Sequence, residues 1–192
     1  ETGCPSSRSV GAHSDRDWTE LSQAKWNLRR ELAHHGNGIP MSQFTIADLE
    51  YKKSFMDGFN TKGLLSLNPD RTVNHRKAAY QAAQHVFSIF DDSVALDREF
   101  LYDHNGLAAT SVYGYKKKGT GASLVTVWQN GQPVTEAIEM QPIDLSFKGV
   151  KFTHPVYVDF RTGGVYEIPA GAWSKEGDVV KFRNVPIYDS RS

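Results

Sequence analysis

Hydrophobic positions in residues 18–36 recur with a helical period: Trp18, Leu21, Leu28 and Leu32 fall on one face. Glu20, Lys25 and Arg29 are then left to face water. Asp15 or Asp17 is placed to cap the start, and Gly36 stands where a terminating glycine belongs. A second helical pattern covers residues 74–90, where Ala79, Ala82, Ala83, Val86 and Phe90 form one stripe whose small side chains allow close approach to another surface. Between these helices, residues 39–47 alternate, with Met41, Gln43, Thr45 and Ala47 opposite Pro40, Ser42, Phe44 and Ile46, which predicts a strand. The glycine- and proline-containing stretch that follows reads as a long loop. Helix, strand, long loop and helix in this order predict βα units with parallel strands.

From residue 93 onward the helical period disappears. Seven or so short segments rich in β-branched and aromatic residues are separated by turn chemistry such as Asn105-Gly106, Asn130-Gly131 and Gly163-Gly164. The segments YVDF and VYEI flanking residues 161–164 make the clearest hairpin. These patterns predict an α/β portion over residues 1–92 and an all-β sandwich over residues 93–192, with the boundary near Asp91 and Asp92.

Composition narrows the classes of function. The 192 residues balance 22 basic against 22 acidic side chains, so the chain lacks the positive field of a phosphate-neutralising nucleic-acid binder. No apolar run approaches the ~20 residues of a spanning helix, which argues against a membrane partner. A single cysteine, Cys4, excludes an internal disulfide framework and a multi-cysteine zinc site.

The opening Glu1-Thr2-Gly3-Cys4-Pro5-Ser6 is the sharpest local signal. It is followed by Gln23, Ala24 and Arg29 or Arg30 in one helix pattern, and by Gly63, Leu64, Lys77, Ala79 and Tyr80 around the next. In this order and spacing, the chain resembles the C-terminal part of a retaining glycoside hydrolase of clan A. The resemblance implies the last two βα units of a (β/α)8 barrel of roughly 250 residues, followed by an antiparallel β-sandwich. It further implies that Glu1 is the catalytic nucleophile, with carbohydrate as substrate and no cofactor or metal. The acid/base carboxyl, about 5–5.5 Å away in a retaining enzyme, would lie in a missing N-terminal portion of the barrel, so the fragment alone would be inactive. A secreted or periplasmic location is favoured for such a parent protein.

Each candidate also has a plainer account. Glu1 at a terminus suits a frayed residue without function. Gln43, Asp48 and Tyr51 sit at and just beyond the expected eighth strand, where they would bind sugar hydroxyls, although a loop carboxylate such as Asp48 is more commonly solvated. His34 and His35 are adjacent, so both rings cannot reach one ion from a helix, and favourable interaction with the helix dipole is the simpler reading. Cys4 fits a small buried hydrophobe better than a nucleophile. Tyr113, Tyr115, Trp128, Tyr157, Tyr166 and Trp173 could form a sugar platform or simply pack a core. The run Lys116-Lys117-Lys118 reads as a solvated hairpin tip. An alternative to the hydrolase is therefore a non-catalytic carbohydrate-binding or structural β-sandwich module.

Overall fold

The computed structural model describes residues 2–14, 16–53, 56–106, 108–130, 133–138 and 140–188. Glu1, Asp15 and Gly131 thus lie outside the described residues. The chain divides into two compact units, one of Glu1–Ser88, Val134–Glu136 and Phe160–Gly163, the other of Ile89–Pro133, Ala137–Asp159 and Gly164–Ser192.

The first unit opens with an irregular segment and then α1 (Glu20–Gly36). Its N-cap is Thr19 rather than either aspartate: Thr19 Oγ1 accepts from the Ser22 amide at 3.2 Å and Ser22 Oγ accepts from the Thr19 amide at 2.9 Å, a reciprocal capping box. The helix runs through Gly36 and ends at Asn37, and the left-handed residue is Gly38, with φ +65°. Lys25, expected in water, is buried and donates to the Thr135 carbonyl at 3.1 Å.

Two hairpins follow, β1 (Leu49–Lys53) with β2 (Met56–Asn60) and β3 (Leu65–Leu67) with β4 (Val73–Arg76), both antiparallel. Then comes α2 (Ala78–Ile89). Strand β4 occupies the first part of the stretch expected to be helical, led by β-branched Val73. The unit's core joins Ala24 of α1, Leu64, and Ala79, Ala82 and Ala83 of α2, with Leu28 and Tyr80 at its margin. Alanine at these positions lets backbones approach closely.

These observations overturn the barrel. A (β/α)8 remnant needs parallel strands joined by helical crossovers, and every ladder among the described residues is antiparallel. Residues 39–47 form no ladder: the parallel pairings are two isolated bridges, Thr2 with Gln43 and Ala47 with Leu65. The physical reason lies in the segment itself. Pro40 lacks a ladder donor, and Ile39 and Ile46 are 53% and 61% exposed, so the alternation does not present a buried apolar face that would fix a strand. What reads as a long loop instead folds back on itself as short hairpins.

The second unit carries β5 (Val94–Leu96), β6 (Leu101–His104), β7 (Thr110–Lys117), β8 (Ser123–Gln129), β9 (Met140–Lys148), β10 (Val156–Asp159), β11 (Gly164–Glu167), β12 (Trp173–Glu176) and β13 (Val179–Tyr188). They form a four-stranded sheet ordered β12-β13-β9-β6, a three-stranded sheet ordered β5-β7-β8, and the hairpin β10-β11. Ile143, Leu145 and Phe147 of β9 alternate inward and meet Val180, Phe182, Val185 and Ile187 of β13, with Val112, Val125 and Val127 contributed by the three-stranded sheet. Two antiparallel sheets thus share one apolar core.

Two details show how the sequence shapes this core. In β13 the inward positions are even-numbered up to Phe182 and odd-numbered from Val185, and the register with β9 shifts between those residues. Asn184 takes φ +54° there, so a bulge absorbs one residue and keeps both halves facing inward. At Gly114 of β7, an added Cβ would lie 2.1 Å from Phe100 Cγ, so only glycine admits that ring against the strand.

Candidate functional site

The strongest cluster of chemistry-bearing side chains lies in the first unit, where Lys77 precedes α2 and is only 2% exposed. Its amide donates to Leu64 O at 3.0 Å, and its carbonyl accepts from the Tyr80 amide at 3.0 Å in the first turn of the helix. The side chain then points inward, and Nζ donates to Asp48 Oδ1 at 2.6 Å, Ser6 Oγ at 2.8 Å and Thr61 O at 3.1 Å. Asp48 Oδ1 also accepts from the Gly63 amide at 3.0 Å. Gly63 has to be glycine here, because a Cβ would stand 2.1 Å from the Asp48 nitrogen. Burial raises the Asp48 carboxyl above its ordinary value, outweighing the opposing pull of Lys77 and the Gly63 amide.

Gln23 completes the cluster from α1. It is fully buried, and its Nε2 donates to Cys4 O at 3.0 Å and to Gly63 O at 3.2 Å. One polar hub therefore ties the N-terminal segment, α1, residues 60–64 and α2 together.

The hub has the ingredients of nucleophilic chemistry, a serine beside a lysine, but its proton inventory argues for a lock. An ammonium has three donors, and each of those of Lys77 meets an acceptor. Ser6 Oγ donates to Thr61 O at 3.0 Å, so its proton points away from any base. Cys4 is similarly inert: fully buried, it donates weakly to Gln23 O and Asn27 Oδ1, and desolvation pushes its thiol well above the ordinary range.

The sequence candidates do not assemble into one site. Gln43 lies in the isolated bridge with Thr2, its Nε2 spent on the neighbouring Phe44 carbonyl at 3.3 Å. Asp48 belongs to the Lys77 ion pair. Tyr51, on β1, accepts from Asn60 Nδ2 at 3.4 Å. None of the three bonds another, and Glu1 lies outside the described residues. His34 Nδ1 engages the Arg30 carbonyl at 2.7 Å within its own helix. Among the described residues, no group of three or more His, Cys, Asp or Glu is placed to hold a metal ion.

Sequence reasoning missed Glu31. It sits on the Ala24 face of α1, is 5% exposed, and neither carboxylate oxygen has a hydrogen-bond partner. Burial pushes its carboxyl up to about 7. The signal was available: Glu31 is seven residues after Ala24 and adjoins Leu32, inside the stripe read as apolar.

No family model, no curated protein and no solved structure matches the chain. With the barrel gone and no catalytic glutamate pair evident among the described residues, the retaining O-glycosidase reading is corrected as well. The carboxylate best placed by sequence to meet a sugar, Asp48, is neutralised inside the fold.

Proposed function

We propose that the chain is a non-catalytic structural β-sandwich module. The observation that carries this reading is where the aromatic side chains go. Tyr115 and Trp128 are 1% and 6% exposed, Trp173 and Tyr157 pack on the core of the second unit, and Tyr113 stacks on Trp128 at 5.6 Å. These five of the six rings read as a possible sugar platform are spent on cohesion, and Tyr166 is the exposed one, at 57%. The test is titration calorimetry of the full chain against a glycan panel. No saturable binding up to millimolar glycan is the expected result, and sub-millimolar binding to any member would overturn it.

A second reading, carbohydrate binding, is favoured by one feature. The rings of Phe100, just before β6, and of Tyr102 and His104 on it stack in a row, Tyr102 lying 9° from parallel to His104, and Tyr102 is 46% exposed. Sugar rings stack on such faces. Under this reading binding disappears in Tyr102→Ala and persists in Tyr166→Ala, whose exposed ring lies elsewhere, on β11.

A further inference from the structure

The chain holds the dipeptide Asn-Gly three times, at residues 37, 105 and 130. In this dipeptide the glycine amide nitrogen can attack the asparagine Cγ. Ammonia leaves as a five-membered succinimide closes, and water then opens the ring at either carbonyl to give aspartate or isoaspartate. One water is consumed and one ammonia released, with no change of oxidation state. Three things set the rate in a folded chain: whether the glycine nitrogen is available, whether the amide carbonyl is polarised, and how tightly the leaving nitrogen is held.

The two sites whose glycines are described differ in the glycine nitrogen and in the hold on the leaving nitrogen. At Asn37 the following amide, Gly38 N, donates to His35 O at 3.0 Å, and Asn37 Nδ2 is held by the Ala33 carbonyl at 2.7 Å. At Asn105, which is exposed just beyond β6, the Gly106 amide donates to no acceptor among the described residues. Asn105 Oδ1 accepts from the Asp144 amide at 2.7 Å, a donor aimed where negative charge develops as the tetrahedral intermediate forms. Its leaving nitrogen makes only a long contact, 3.3 Å, to Asp144 Oδ2.

We propose that Asn105 is a site of spontaneous deamidation in the folded protein, and that its conversion loosens the four-stranded sheet. The second part follows from what Asn105 grips. Asp144 of β9 is clasped by Asn105 on one side, and its Oδ1 accepts from the Asn184 amide at the β13 bulge at 2.9 Å on the other. Deamidation replaces the Nδ2 donor with a second carboxylate facing that of Asp144, so an attraction becomes a repulsion beside the bulge. In the isoaspartate product the chain also gains a backbone carbon where it leaves β6.

The full chain is incubated at mildly alkaline pH, natively and in concentrated urea, and peptides containing residues 37 and 105 are followed by mass spectrometry with isoaspartate detection. In the native state Asn105 is expected to convert about tenfold faster than Asn37, the rate equivalent of the backbone hydrogen bond that Gly38 must first surrender. In urea the two rates converge, because both are then unstructured Asn-Gly. Equal native rates, or a slower Asn105, would overturn the proposed site. Asn105→Asp is measured in parallel: faster amide exchange in peptides of β9 and β13 is expected, and unchanged exchange would overturn the proposed consequence.

Discussion

Replacing Asp48 with asparagine asks whether the hub at Lys77 holds the first unit together. Asp48 and Lys77 are 2.6 Å apart with side chains 14% and 2% exposed. At an effective dielectric of ~20 the direct attraction is about 6 kcal/mol, most of it offset by the desolvation of two charges. The raised carboxyl of Asp48 reports the same balance, since burial there costs the ionised form more than Lys77 returns. Asp48→Asn strands the ammonium with Ser6 Oγ, Thr61 O and an amide oxygen, and should cost about 3 kcal/mol, the low end for breaking a buried pair. Lys77→Met should cost a similar amount. The double variant should cost about 2 kcal/mol less than the sum of the two, because no charge is left uncompensated. Hydrogen exchange of the α2 amides is the appropriate assay, since it reads this unit separately, and about 3 kcal/mol appears there as acceleration of roughly a hundredfold. Additive single effects, each below about 1 kcal/mol, would refute the reasoning and make the pair equivalent to a surface ion pair.

Three further outcomes follow from other sites. Glu31 has a native carboxyl raised from 4.5 to about 7, so the folded state holds the proton more tightly, and the contribution of Glu31 to stability is fully present below about pH 4.5, falls as the pH rises through 7, and then levels. Glu31→Gln should remove about 3 kcal/mol of that decline in urea unfolding curves between pH 5 and 8, and an unchanged slope would contradict its burial. Gly114→Ala forces a methyl into the Phe100 ring and should destabilise the second unit by about 3 kcal/mol in thermal melts; a melt within a degree or so of the parent would show that the ring moves aside. Cys4 should resist thiol reagents in the native protein and react stoichiometrically in denaturant, whereas fast native labelling would contradict its burial.

Local patterns were readable wherever they spanned a whole element. The Trp18 and Leu32 stripe located α1, the alanine stripe located the body of α2, and the hairpin around residues 161–164 appears as β10-β11. Failures came where two periodicities competed or where the partner was remote. Val73 to Arg76 pair with β3 as a strand although they adjoin a helical stripe, and nothing local distinguishes the two outcomes. Alternation in residues 39–47 looked like a strand because pattern alone does not reveal whether either face is covered. The larger error was of assembly: short motifs in the right order suggested a parallel barrel, while strand direction depends on what each segment pairs with. Asp48 illustrates the same limit for the site. A loop carboxylate is ambiguous until the lysine 29 residues later is seen to reach it.

The bulge in β13 has a consequence for mechanics. Because the strand changes inward parity once, at Arg183 and Asn184, no rigid slide of β13 along β9 superimposes its apolar face on itself. A shift of one residue turns Val180, Phe182, Val185 and Ile187 outward together, and a shift of two moves the kink away from the Asp144 acceptor that receives the Asn184 amide. The irregularity thus works as a keyed joint: a strand pulled along its length must unseat the key before it can creep, so the sheet should yield to shear in one abrupt event.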